Sequence, residues 1–148
     1  MIILDDDTRF MKAALDEARR AMESDEVPIG AVVVCDGRII GRGHNLTETL
    51  ADVTAHAEMQ ALTAAAATLG GKYLADCTLY VTVEPCLMCA GAIGWAQVKR
   101  IVYGCADPKR GYSTITARPP FHPRATITSG ILADDCAALM QQFFRAKR

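Results

Sequence analysis

Four side chains define the chemistry this sequence could perform. His56 and Glu58 lie in Thr54-Ala55-His56-Ala57-Glu58, and Cys86 and Cys89 in Glu84-Pro85-Cys86-Leu87-Met88-Cys89. One imidazole and two thiolates supply three ligands for a zinc ion and leave a tetrahedral centre one open position. That is the arrangement of a catalytic site, since a structural site takes a fourth protein ligand. Water at such a position becomes a nucleophile near neutral pH, and a carboxylate two residues from the histidine is placed to move protons. Each part alone has a plainer reading. Cys86-x-x-Cys89 also fits a redox pair or half of a structural zinc site. A lone His56 fits a core or surface histidine, and a lone Glu58 a solvated glutamate in a first helical turn. His44 and His122 form no second metal-like spacing with a cysteine. Cys35, Cys77, Cys105 and Cys136 stand apart and read as small buried hydrophobes. The combination favours one catalytic zinc per chain.

The elements that must position these groups follow from periodicity. Phe10, Met11, Ala14, Leu15, Ala18, Ala21 and Met22 recur at helical spacing, with Asp7 or Thr8 as N-cap. Residues 29–35 and 38–43 read as strands joined by an Asp36-Gly37 hairpin turn, and residues 44–53 as a loop. Thr54 is expected to cap a helix over 55–69, closed by Gly70-Gly71. A buried strand over 78–83 leads to Pro85, suited to the first turn of a helix ending near Ala96. That helix would carry Cys86 and Cys89 on one face, near its positive end. A strand over 100–104 is expected to run parallel to the preceding one. Residues 105–124 contain four prolines and read as a long structureless, functional loop. A short strand over 125–128 precedes a last helix whose Cys136, Leu139, Met140, Phe143 and Phe144 read as core. This order implies one α/β domain over residues 1–148, with helices on both faces of the sheet.

Composition narrows the class. A chain of 148 residues that is 51% apolar suits one folded domain. No apolar run is long enough to cross a bilayer. Met1-Ile2-Ile3-Leu4 runs into three aspartates, unlike a signal peptide. Six cysteines then suggest reduced thiols and a cytoplasmic setting. Net charge is near zero but uneven: Lys99, Arg100, Lys109, Arg110, Arg118 and Arg124 face a single acid, Asp107, between residues 99 and 124. This stretch is expected to meet phosphates.

The H-x-E and P-C-x-x-C pairing resembles that of zinc-dependent base deaminases. Over nearly its whole length the chain is similar to the cytidine-deaminase-like superfamily, and within it to the bacterial tRNA-specific adenosine deaminases. The segments that carry the likeness include Glu26-Val27-Pro28-Ile29-Gly30-Ala31-Val32, His44-Asn45, residues 55–59, residues 79–92, Asp107-Pro108-Lys109, and residues 130–136 through Phe143-Phe144-Arg145. The resemblance implies a three-layer α/β/α sandwich with a five-stranded mixed sheet, a homodimer, and conversion of wobble adenosine to inosine in a tRNA anticodon loop. It implies zinc on His56, Cys86 and Cys89 with Glu58 shuttling protons. It also implies a base pocket formed by Asn45, the backbone of Ala57, Pro28, and the strand end from Thr82 to Glu84. Asp107, Lys109 and Arg110, in the long basic loop, are expected at the substrate. The chain departs from the family pattern after Lys109, where Arg110-Gly111-Tyr112-Ser113-Thr114 and a proline-rich stretch replace a small, glycine- and alanine-rich turn and a helix. His122-Pro123 stands where an asparagine-histidine pair is common.

Trp95, in Gly91-Ala92-Ile93-Gly94-Trp95-Ala96, reads first as a packing residue, but it is also similar to a tryptophan of guanine deaminases, which keeps a free purine base open as substrate. A third possibility is a catalytically silent zinc module that binds nucleic acid or pairs with an active subunit. Glu58 counts against it, since a scaffold needs no such carboxylate. Gly91, Gly94 and Ala96 make one side of that helix small beside Trp95, as expected of a two-fold homodimer contact.

Overall fold

The computed structural model describes residues 5–147; the expectation resting on Met1–Leu4 lies outside them. The elements in chain order are α1 (Asp6–Glu23), β1 (Gly30–Cys35), β2 (Arg38–His44), α2 (Ala57–Leu69), β3 (Thr78–Val83), α3 (Leu87–Trp95), β4 (Arg100–Cys105), α4 (Tyr112–Ile115), β5 (Thr126–Ser129) and α5 (Ala133–Ala146). The five strands form one mixed sheet in the order β2-β1-β3-β4-β5. β1 pairs antiparallel with β2 and β3, while β3, β4 and β5 run parallel.

Alternation along the strands splits the core in two, because successive strand residues face opposite sides. Ala31, Val33, Leu79, Val81 and Ile101 pack under α2 and α3 through Ala57, Ala61, Ala65, Ala90 and Ile93. Val32, Val34, Tyr80 and Val102 pack on the opposite face against Phe10, Met11, Ala14 and Leu15 of α1 and Cys136 of α5. The result is the expected three-layer α/β/α sandwich. No helix of the described residues is long and apolar enough to cross a membrane.

Several local expectations are corrected. Asp5, not Asp7 or Thr8, caps α1: its carboxylate accepts from the Thr8 N–H at 2.9 Å and the Thr8 hydroxyl at 3.1 Å. Asp7 is drawn away by Arg100, which donates to both its oxygens at 2.6 and 2.7 Å, and by the Tyr80 hydroxyl at 2.8 Å. Thr54 caps nothing; its hydroxyl donates to Asp52 at 2.7 Å, and α2 starts two residues later than expected, with His56 at the N-cap position. The stretch after β4 is not structureless. It contains α4, and it sends Tyr112 and Phe121 into the core, where their rings meet edge to face at 5.0 Å. On α5 only Cys136 and Phe143 of the expected apolar face are buried, and Phe144 is exposed. Cys77 and Cys136 are buried as expected, but Cys35 and Cys105 are only half-buried.

Candidate metal centre and active site

The C-terminal end of β3 and the start of α2 bring the four chemical groups together. At the N-cap His56 has extended backbone (φ −75°, ψ 158°) and makes no side-chain cap bond, so its ring is free to turn toward the cysteines. Cys86 is likewise an N-cap, one residue before α3. Its sulfur accepts from the Cys89 N–H at 3.5 Å, so it meets the helix terminus rather than sitting within a turn, as the spacing had suggested. His56 Nδ1 stands 3.6 Å from Cys86 Sγ and 3.4 Å from Cys89 Sγ. Ligand atoms of all three lie within 4.8 Å of one another, the one such group of His, Cys and carboxylate side chains among the described residues. Zinc bonds of about 2.3 Å to sulfur and about 2.0–2.1 Å to nitrogen, at tetrahedral angles, place nitrogen and sulfur about 3.6 Å apart. The donor set therefore fits a zinc ion in both chemistry and size.

The protonation pattern fits the same purpose. Hydrogen bonding from Cys89, and then from His56, brings the Cys86 thiol down to about 4. Cys89, without a metal, is pushed upward by its bond to Cys86 and by burial; a bound zinc ion would displace that proton, since cysteine ligates as thiolate. The bond to Cys86 raises His56. Glu58, in the first turn of α2 and 4% exposed, is pushed up by burial to about 7. A carboxyl group titrating there can both take and give a proton near neutrality.

The expected pocket residues gather at the same end of the sheet. Asn45 follows β2 and is 7% exposed; its Oδ1 accepts from the Thr47 N–H at 3.3 Å. Pro28 and Ala57 are buried. Thr82 is buried, and its hydroxyl accepts from the Gly30 N–H at 3.2 Å, tying β3 to β1. Glu84 is placed differently from expectation. Its carboxylate is occupied by the main chain of Asp107 and by Ser113. Asp107 turns the following segment by accepting from the Lys109 and Arg110 N–H groups, both at 3.0 Å, and leaves those two cationic side chains exposed.

The basic stretch does not form one patch. Lys99 and Arg100 open β4, Arg100 is paired with Asp7, and Arg124 lies just before β5, whose Thr126 is in register with Arg100. These three sit at the end of the parallel strands opposite His56, Cys86 and Cys89. Lys109 and Arg110 follow β4 at the same end as Cys86. There they line a groove of about 1010 Å³ with Met140, Gln141, Phe144 and Arg145 of α5. The sequence reading assigned those α5 residues to the core or passed over them. The extra apolar position at Phe144 was the available signal, because it lies about 100° round the helix from Phe143, at the margin of the face that Cys136 and Phe143 bury. Of the small residues on α3, Gly94 is taken up within the chain: a Cβ there would strike the Pro120 carbonyl. Gly91 has open space around it, and Trp95 is 85% exposed.

Comparisons agree with this geometry. The model of the MafB19-like deaminase family matches residues 5–148. The chain is similar to the tRNA-specific adenosine deaminase of Agrobacterium fabrum (strain C58), with 48% identity over 145 residues that cover 95% of each chain. It is similar to a solved structure from a study of A-to-I editing by tRNA:A34 deaminases at the wobble position of transfer RNA, with a TM-score of 0.83 and 46% identity, covering 89% of this chain and 99% of that one. A guanine deaminase from Nitrosomonas europaea is also similar, with a TM-score of 0.80 but 26% identity, covering 96% of this chain and 86% of that one.

Proposed function

The chain belongs to the tRNA-specific adenosine deaminases of the MafB19-like deaminase family, and from that premise we propose that it hydrolyses the wobble adenosine of tRNA to inosine and ammonia. The observation that carries the chemistry is the convergence of His56, Cys86 and Cys89 beside a buried Glu58. These three residues would hold zinc, which supplies a Lewis acid and an activated water. Glu58 takes a proton from the attacking water and delivers protons to the ring nitrogen and the leaving amine. Asn45, Pro28, Ala57 and Thr82 wall a pocket for a base splayed out of an RNA loop. Lys109 and Arg110 meet the neighbouring phosphates, with Arg145 across the groove; Phe144 offers a face on which a base stacks.

The exposed Trp95, with Leu87 and Met88 on the same short helix, supports a homodimer contact through α3. A tRNA substrate and thiol ligands both suit the cytoplasm. A second reading, hydrolysis of a free purine base, is favoured by the likeness to the guanine deaminase, at lower identity than the tRNA enzymes. Incubation of the zinc-loaded protein with tRNA, followed by inosine sequencing, tests the first reading, with ammonia release from free guanine measured in parallel. Inosine at the wobble position supports the proposal. Ammonia from guanine with tRNA untouched would transfer the activity to the second reading.

A further inference from the structure

One buried charge near the metal ligands has no part in the proton chemistry. Glu84 directly follows β3, is 4% exposed, and stands two residues before Cys86. Its Oε1 accepts from the Asp107 N–H at 3.2 Å; its Oε2 accepts from the Ser113 N–H at 3.0 Å and the Ser113 hydroxyl at 2.6 Å. Gly111 lies directly over the carboxylate, where a Cβ would come within 2.5 Å of both oxygens. Main-chain bonds reinforce the seam. The Glu84 N–H donates to the Cys105 carbonyl at 2.9 Å, the Tyr112 N–H donates to the Pro85 carbonyl at 2.9 Å, and Cys86 bridges Gly111.

A buried carboxylate is costly unless hydrogen bonds replace its water. Here every replacement comes from one segment, residues 107–113, which carries Lys109 and Arg110. Gly111, at the N-cap of α4, has no side chain with which to cap that helix, and Glu84 accepts from its first turn instead. Tyr112 and the bridge to Cys86 anchor the end of this segment, and Glu84 ties in Asp107 and Ser113 on either side of Lys109 and Arg110. Residues 84–86 and 107–113 thus share one rigid seam, with the metal ligands on one side and the cationic rim on the other.

We infer that Glu84 is a positioning residue for RNA binding, holding the Asp107–Arg110 rim at a set distance from the metal ligands. The substrate part rests on the tRNA reading above; the loop geometry does not. Glu84→Gln preserves size but presents an amide NH₂ to one of two N–H donors, whichever way it is turned. In the zinc-loaded protein, amide exchange over residues 107–113 should speed up by about tenfold, the loss of roughly one charged hydrogen bond. Exchange in α2 and α3 and the zinc content should stay the same. On an anticodon stem-loop RNA, KM should rise about tenfold with kcat within about threefold, the pattern of lost substrate binding rather than lost chemistry. Ser113→Ala, a milder change at an exposed residue, should move both readouts in the same direction by less. Unchanged exchange at 107–113 would overturn the inference. So would loss of zinc together with a fallen kcat at constant KM, which would make Glu84 a support of the cysteine segment alone. Exchange is read without substrate, so a wild-type protein that fails to edit the RNA would sink the substrate reading separately.

Discussion

Replacing Gly43 by alanine should damage the metal centre from the far side of a helix. Gly41 and Gly43 are alternate residues of β2, and both face the backbone of α2. A Cβ at Gly43 would lie 2.6 Å from the Ala61 nitrogen and 2.6 Å from Gln60 Cβ, and closer still to the Ala57 carbonyl oxygen. Ordinary contact begins at 3.4 Å, so the helix must retreat by about 1 Å to clear the Ala57 carbonyl, because backbone on both sides cannot rotate out of the way. Ala57 stands between His56 and Glu58, and both move with it. Metal ligands tolerate displacements of about 0.2 Å, so the retreat opens the 3.4 and 3.6 Å spacings from His56 to the sulfurs well past what zinc accepts. Gly43→Ala should therefore lose about 1–3 kcal/mol of stability from overpacking. It should also lose zinc to a competing chelator far sooner than the wild type, and about a hundredfold in turnover from misplacement of Glu58. Gly37→Ala is the control. That hairpin residue has φ +72° with nothing within 4 Å of a new Cβ, so it should cost about 1–2 kcal/mol of backbone strain and leave zinc affinity and turnover alone. Chelator competition, thermal unfolding and steady-state turnover on both variants decide the matter. A Gly43→Ala protein that is less stable yet holds zinc and turns over like the wild type would refute the argument that this helix–strand contact sets the site.

Glu58→Ala should retain about one zinc per chain and the wild-type fold while losing at least about a hundredfold in turnover; near-normal activity would mean another proton carrier. In the metal-free protein, burial raises Glu58 to about 7 in the folded state, against an ordinary value of 4.5, so the folded state holds its proton longer and loses stability as pH rises through that window. Relative to wild type, metal-free Glu58→Gln should gain about 3 kcal/mol between pH 4.5 and 7 and no more above it; urea midpoints of both proteins at pH 4.5, 7 and 8 check this, and parallel midpoints across the range would contradict it. Neutralising Lys109 and Arg110 together should weaken tRNA binding and flatten its salt dependence by about two charges, with zinc content unchanged; a salt slope equal to that of the wild type would remove them from the phosphate contacts.

The type and spacing of the candidate ligands carried most of the candidate site. His56, Glu58, Cys86 and Cys89 needed no structure to be singled out, because zinc accepts few donors and a three-ligand set is itself informative. Strand alternation and helical spacing likewise located the ten-element order apart from α4, since those periods follow from local backbone geometry. The sequence could not show that the basic residues between Lys99 and Arg124 divide between opposite ends of the sheet. Parallel pairing of β4 with β5 decided that, by carrying Arg100 and Arg124 about one strand length away from Lys109 and Arg110. Nor could it show that Glu84 serves a loop more than twenty residues further on, or that Tyr112 and Phe121 are core residues. The proline-rich segment has no periodicity of its own, and its conformation comes from long-range bonds to a buried carboxylate and from two rings closing over the sheet. Local pattern determined which residues do chemistry and on which elements they ride; packing between distant segments decided what each of those elements faces.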